Sequence, residues 1–327
     1  QITNSQLLSK CSIFHPIEAN RRKPNCMKNP DLHLLTKVAV LYYREGLTHQ
    51  AISKRLGLSR QSVGRFLQRA RREGLVQIHI DSPLLHCTEL ESQLESRYSL
   101  REAVVVSPVT ETELSIKRTL GKAGAEFLMR RVQSGDTLGV SWGSTVLECA
   151  QQLKPLETEN VTVVQLNGSL DVGSYSTRAE YVVDQMARAF NGKMVTISAP
   201  MLVDRPEILD SLKSDSRVAA ALETAEKSRI AIFGVGDVSE NSSPYKAGYF
   251  DLALIQELNR HGAVGEICGR FYNAEGKIAA QDIQKRTLAV DLESLKKKKF
   301  SVAIAGQPKK VTALKGMLKG GFCNVLI

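Results

Sequence analysis

Arginine and glutamine share an ability few side chains have: each can form two hydrogen bonds to one purine edge. In GLTHQAISKRLGLSRQSVGRFLQRARREGL, residues 46–75, they recur on one side of a short apolar repeat. Arg60, Gln61 and Arg65 have the types and positions to reach base edges in a major groove. Gln50, Ser59, Ser62 and Arg69 suit phosphate oxygens, which position a protein on a duplex without selecting sequence. A second set of chemistry-bearing residues lies further along. GVSWGST places Ser141, Gly143, Ser144 and Thr145 between an apolar run and the helical segment TVLECAQQL, where free amides and hydroxyls would face an anion. LNGS closes the next apolar run with Asn167, Gly168 and Ser169, and FGVGD closes another with Asp237.

The basic residues need a scaffold, and the apolar spacing predicts three short helices. Leu34, Leu35, Val38, Ala39, Leu41 and Tyr42 recur at helical intervals behind the capping candidate Asp31, and Gly46 ends the run. Thr48 caps a second helix with Ala51, Ile52 and Leu56 turned inward, and Gly57 breaks it. Ser59 caps a third, with Val63, Phe66, Leu67 and Ala70 as its apolar stripe. The second helix, the Gly57-Leu58 turn and the third helix have helix-turn-helix spacing. LVQIHI, residues 75–80, then alternates like a short strand and reads as a wing.

Charge supports that reading. Residues 1–80 hold 14 Lys and Arg against 4 Asp and Glu, whereas residues 81–327 hold 30 of each, so the whole formal charge of +10 sits at the front. The front is expected to meet a polyanion, which the helix-turn-helix spacing makes double-stranded DNA, and the rest to do something else.

Beyond a hinge around Pro83, TELESQLESRYSL has the pattern of a linker helix suited to pairing two subunits. EAVVVSP, DTLGVSW, VTVVQLNG, KMVTISAP, RIAIFGVGD and FSVAIAG then read as short buried strands, with amphipathic segments such as TLGKAGAEFLMRRV and TRAEYVVDQMARAF between them. This alternation predicts an α/β fold: an N-terminal all-α helix-turn-helix domain with a short β wing, then a doubly wound, mostly parallel sheet. Ligands of such sheets bind at the carboxyl ends of the strands. The expected divisions are a flexible extension over 1–30, a DNA-binding domain over 31–82, a linker helix over 83–100 and a ligand-binding domain over 101–327, to which the family resemblance given below assigns effector binding and oligomerisation. The lone tryptophan, Trp142, reads as core packing, and the Lys run at 296–299 as a solvated helix end.

Several classes are excluded. No G-x-G-x-x-G and no Walker lysine appears, so a nucleotide cofactor is not expected. Cysteines at 11, 26, 87, 149, 268 and 323 show neither Cys-x-x-Cys nor zinc-ligand spacing; they read as thiols of a reducing cytoplasm, without a metal site. No run approaches the roughly 18 apolar residues of a membrane-spanning helix. The first 26 residues lack the marks of a signal peptide, and Met27 is a sensible natural start.

Taken together, LYYREGLTHQAISKRLGLSRQSVGRFLQRARREGLV, GVSWGST, FGVGD, HGAVGEICGRFYNAEG and AGQPKK followed by LKGGFCNVLI resemble the SorC family of bacterial sugar-responsive transcriptional regulators, over about residues 31–327. The resemblance implies a helix-turn-helix joined to an effector domain related in fold to phosphosugar isomerases. It also implies a phosphorylated sugar or polyol as effector, and assembly into dimers or tetramers. Carried onto matching positions, it gives Gly143, Ser144, Thr145 and Gly168 phosphate or hydroxyl contacts, Glu266 a sugar hydroxyl and Lys310 the phosphate, with Arg178 and Asp237 as further contacts. A cation, amides and a carboxylate are what a sugar phosphate requires. The chain departs from the family pattern at Glu266, usually Asp, at Gly306-Gln307, usually two glycines, and in ending at NVLI before the usual final acidic stretch and helix. The alternative is a sugar-phosphate isomerase with an accessory nucleic-acid-binding domain, using Glu266 or Asp237 as base. Only His261 and Cys268 lie near enough in sequence to serve as a partner, so a non-enzymatic regulator is expected.

Replacing Arg60 or Gln61 by Ala is expected to weaken duplex binding by roughly 1–3 kcal/mol and relax base preference, while Arg69→Ala weakens all sequences alike. Fluorescence anisotropy on selected and random duplexes checks this. Equal losses on both duplexes for all three variants contradict it.

Overall fold

Leu35, Val38 and Leu41 point one buried face of helix α1, Pro30–Tyr43, at the two helices that follow. The computed structural model describes residues 30–76, 85–169, 178–242, 245, 248 and 250–327. The N-terminal extension, most of the segment read as a wing and the hinge at Pro83 lie outside the described residues. Two compact units result, residues 1–81 and 82–327.

In the first unit, α1 begins at Pro30, one residue ahead of the expected cap Asp31. Helix α2, His49–Leu56, starts where the Thr48 hydroxyl accepts the Ala51 N–H at 3.2 Å. It ends at Gly57, whose φ of +67° is the left-handed conformation a side chain would disfavour. Helix α3, Arg60–Arg72, is capped by Ser59, which accepts the Ser62 N–H at 3.0 Å. Val38, Leu41, Ile52, Val63 and Leu67 form the small core that the three stripes predict.

The second unit opens with helix α4, Leu85–Tyr98, over the segment read as a linker helix. Seven strands, β1 Glu102–Ala103, β2 Thr137–Val140, β3 Thr162–Gln165, β4 Lys193–Val195, β5 Ile230–Gly234, β9 Phe300–Ile304 and β10 Val325–Leu326, form one parallel sheet in the order β1-β10-β9-β5-β2-β3-β4. Their side chains alternate between faces as a pleat requires. Ile230 and Ile232 pack with helices α5 (Glu113–Arg131), α6 (Ser144–Gln152) and α7 (Ala179–Ala189) on one side, while Ala231 and Phe233 face the core of the other. Both faces are apolar, so the strands read as nearly continuous hydrophobic runs.

Between β5 and β9 the chain builds an antiparallel sheet that the apolar runs did not announce: β6 Gly236–Asp237, β7 Ala263–Ile267 and β8 Arg270–Asn273. At the edge of the main sheet, α4 supplies hydrogen-bond acceptors. Glu95 Oε1 accepts the Ala103 N–H and Glu91 Oε1 that of Val105, both at 2.8 Å, which protects backbone donors that an edge strand leaves open.

The lysine run is only partly a solvated helix end. Lys298 is buried, and its ammonium donates to the carbonyls of Ala225 and Glu226 at the end of helix α8, Ser216–Lys227. A cation there satisfies carbonyls that the helix leaves without partners. Phe233 on β5 is fully buried. Phe233→Ala is expected to destabilise the second unit by about 3–5 kcal/mol in chemical denaturation, and a loss below about 1 kcal/mol contradicts this account of the core.

Candidate functional site

The first unit presents one chemically distinctive surface. With Val63, Leu67 and Ala70 buried, α3 exposes Arg60, Gln61 and Arg65, none of which forms an ion pair or side-chain hydrogen bond among the described residues. Gln50 is exposed on α2. The Ser59 and Ser62 hydroxyls lie 2.8 Å apart and are engaged in the cap. Arg69 is half-buried, with its Nε donating to Glu73 at 2.6 Å. Arg71 is steered the same way, donating to the Tyr43 hydroxyl at 2.7 Å. Arg60, Gln61 and Arg65 thus leave unengaged donors in the N-terminal half of α3, the end that enters a groove in helix-turn-helix proteins.

In the second unit a cleft opens at the carboxyl ends of β2, β3, β5 and β9. Parallel pairing of β2 with β5 sets Ser141–Thr145 beside Gly234–Asp237. Gly143 has φ +152° and ψ 149°, a conformation that favours glycine, and it starts α6 without any side-chain cap, so the first N–H groups remain available. Thr145 is buried, Ser144 exposed, and both line the cleft. Trp142 is half-buried rather than core, and its Nε1 donates to the Gly168 carbonyl at 3.1 Å.

The antiparallel sheet supplies the carboxylates. Asp237 on β6 accepts the Ser239 hydroxyl. Glu266 on β7 stands opposite Gly236, where any Cβ would collide with its Oε2. The tight turn Cys268-Gly269, with φ of +53° and +80°, sends the Gly269 N–H back to Glu266 Oε1 at 2.5 Å. Lys310 closes a 3-10 turn over Pro308–Lys310, its N–H donating to the Gln307 carbonyl at 3.1 Å.

Electrostatics in the cleft are strained. Burial raises the Glu266 carboxyl pKa above its ordinary value, outweighing the Gly269 N–H and Lys310. Burial likewise lowers that of the Lys310 ammonium, against the attraction of Asp237. Burial also pushes the Cys268 thiol up, leaving it neutral and a poor nucleophile. His261 is exposed at a helix end and is not in the lining.

Gly143, Ser144, Thr145, Asp237, Glu266 and Lys310 thus share one cleft. Gly168 does not line it; a Cβ there would lie 2.6 Å from the Ala199 carbonyl oxygen, so close packing accounts for this glycine. Arg178 is exposed at the start of α7, also outside the lining. Asn167, Lys117, Gln307 and Lys309 line the cleft as well. Asn167 is fully buried with Oδ1 lacking any partner, a position its place beside Gly168 at a strand end already marked. No group of three metal-ligating side chains occurs among the described residues.

A raised glutamate pKa has a defined effect on stability. Folding favours the protonated form, so this contribution is fully present below the ordinary glutamate value and is lost as pH rises through the raised one. Glu266→Gln, neutral throughout and able to accept the Gly269 N–H, is expected to melt above the parent at neutral pH and to approach it in acid. A melting-temperature difference that does not change with pH contradicts the assignment.

Comparison with known proteins bears on both units. Residues 82–327 match the sugar-binding domain family, and residues 36–73 match sigma-70 region 4. The deoxyribonucleoside regulator of Bacillus subtilis is 34% identical over 294 residues, covering 90% of this chain and 94% of that protein. Transcriptional regulator LsrR of Escherichia coli K12 is 30% identical over 297 residues, 90% of each chain. The full-length sorbitol operon regulator SorC from Klebsiella pneumoniae superimposes with a TM-score of 0.70 at 26% identity, covering 91% of this chain and 96% of that one. A DeoR family transcriptional regulator from Listeria monocytogenes gives 0.68 at 28%, covering 74% and 96%. Regulators rather than enzymes surround the chain in every comparison. With a helix-turn-helix in front and a sugar-binding domain over three-quarters of its length, the chain belongs to the SorC family of sugar-binding transcriptional regulators.

Proposed function

We propose that this protein binds the operator of a carbohydrate or polyol catabolic operon, with its DNA affinity set by a phosphorylated sugar or polyol held in the cleft. One observation carries the reading: the uncapped start of α6, the Lys310 ammonium and two carboxylates meet in a single cleft. Amides and a cation suit a phosphoryl group, and carboxylates suit hydroxyl donors. Relatives named for a deoxyribonucleoside and for sorbitol point toward the same chemistry.

In this reading Gly143, Ser144, Thr145 and Lys310 hold the phosphate, and Asp237 and Glu266 accept from hydroxyls. Gly168 fixes the neighbouring wall, and Arg178 stands at the periphery. Arg60, Gln61 and Arg65 read bases, while Gln50, Ser59, Ser62 and Arg69 contact phosphates. Residues 31–82 form the DNA-binding domain, 83–100 a helix joining it to the rest, and 101–327 the effector-binding and oligomerisation domain. The protein works in the cytoplasm as a homodimer or homotetramer. Effector binding would change the relative orientation of subunits and so the match between paired recognition helices and their half-sites. Only a difference in ligand affinity between the two arrangements is required.

Thermal-shift screening against pentose, hexose and hexitol phosphates tests the reading, because a ligand at 100 times its Kd adds about 2.7 kcal/mol to stability. A stabilising ligand is expected to alter duplex affinity. Lys310→Ala is expected to keep duplex binding and lose that response; an unaltered response would remove Lys310 from the phosphate site.

A further inference from the structure

Seven non-glycine residues have positive φ among the described residues. Six lie between 43° and 56°, near the left-handed helical well that L-residues occasionally visit. Gln307 alone lies at 98°, with ψ 139°, a region close to one that essentially only glycine occupies. Its surroundings hold it there. Gly306 before it packs so closely on α5 that a Cβ would come within 2.9 Å of Leu120 and 3.3 Å of Ile116. Pro308 after it has a fixed φ, and the Lys310 N–H binds the Gln307 carbonyl at 3.1 Å.

Backbone strain held in place by its surroundings clusters at ligand sites. The Gln307 side chain is half-buried on the cleft wall and forms no hydrogen bond among the described residues. Asn167, which lines the same cleft, is 1% exposed; its Nδ2 has the Met201 sulfur at 3.4 Å and its Oδ1 has no partner among the described residues. Two amides therefore line one cleft, one held on a strained backbone and one buried with an unmet acceptor. An amide both donates and accepts, which is how a site distinguishes one hydroxyl pattern from another.

We infer that Gln307 is the specificity-determining residue of the cleft, reading ligand hydroxyls together with Asn167 while the α6 loop and Lys310 hold the anionic group. The inference rests on the cleft being the effector site. Losing the Gln307 amide therefore affects discrimination among polyol phosphates and leaves inorganic phosphate unaffected. Losing its side chain altogether also releases the strain.

The test uses the full chain and four probes: inorganic phosphate, ribose 5-phosphate, 2-deoxyribose 5-phosphate and sorbitol 6-phosphate. Melting temperature without ligand and Kd for each probe are measured for the parent, Gln307→Gly and Gln307→Leu. Gln307→Gly is expected to melt roughly 2–4 °C above the parent without ligand. It should bind its best sugar phosphate about tenfold more weakly, with the preference among the three collapsing and inorganic phosphate unchanged. Gln307→Leu keeps the strained backbone without the amide, so it should lose the preference without gaining stability. If both variants keep the parent's Kd ratios within about twofold, or the glycine variant melts no higher than the parent, the inference is overturned. A parent that answers to none of the sugar phosphates overturns the effector reading and this inference with it, whereas a responsive parent beside unaltered variants removes only the role of Gln307.

Discussion

Parallel pairing between β2 and β5 organises the second unit, because the connections leave these two strands in opposite directions across the sheet. Leu138, Gly139 and Val140 register with Ile230, Ala231 and Ile232, and the loops that follow are brought side by side. A crevice is unavoidable at such a switch point, since no connection covers the gap between the two strand ends. Gly143 and the start of α6 form one lip; Gly234 to Asp237 form the other. β9, next to β5, adds the turn that carries Lys310.

What occupies the crevice follows from charges that the fold has partly desolvated. Glu266 and Lys310 both titrate away from their charged forms through burial, which marks a site built for something other than its own stability. An anionic polyol would return to each what burial removes: an anion beside the ammonium and the α6 amides, and hydroxyl donors beside the carboxylates. Glu266 can stand there only because Gly236 opposite it has no side chain and Gly269 turns its N–H back. A side chain at either glycine would collide with a neighbour, Glu266 Oε2 in one case and Met201 in the other.

Much of this was legible in the sequence. Three apolar stripes, each behind a Ser, Thr or Asp, specify the first unit, and six of the seven strands of the main sheet announce themselves as hydrophobic runs. The antiparallel sheet was less visible: β6 has two residues, and β7 alternates only as Ala263, Gly265 and Ile267. Gly168 shows why such glycines are ambiguous: one at a strand end has the same signature whether it admits a ligand or a neighbouring backbone, and here the Ala199 carbonyl by itself requires a glycine. Lys298 read as solvated because its partners, the last carbonyls of α8, lie about seventy residues away in sequence. Gln307 stood out only as a departure from a glycine pair, and its meaning depends on a backbone angle that no side-chain pattern encodes.

The two units divide the chemistry between them, one presenting unengaged donors on α3 and the other a cleft of mixed charge at the carboxyl ends of the central strands. A crystal structure of the chain with a bound sugar phosphate is the most direct measurement of what joins these readings. The account predicts phosphate oxygens within hydrogen-bond reach of the Ser144 and Thr145 amides and of Lys310 Nζ, with sugar hydroxyls on Asp237 and Glu266. A sugar phosphate held elsewhere on the protein, with this cleft left to solvent, would contradict it.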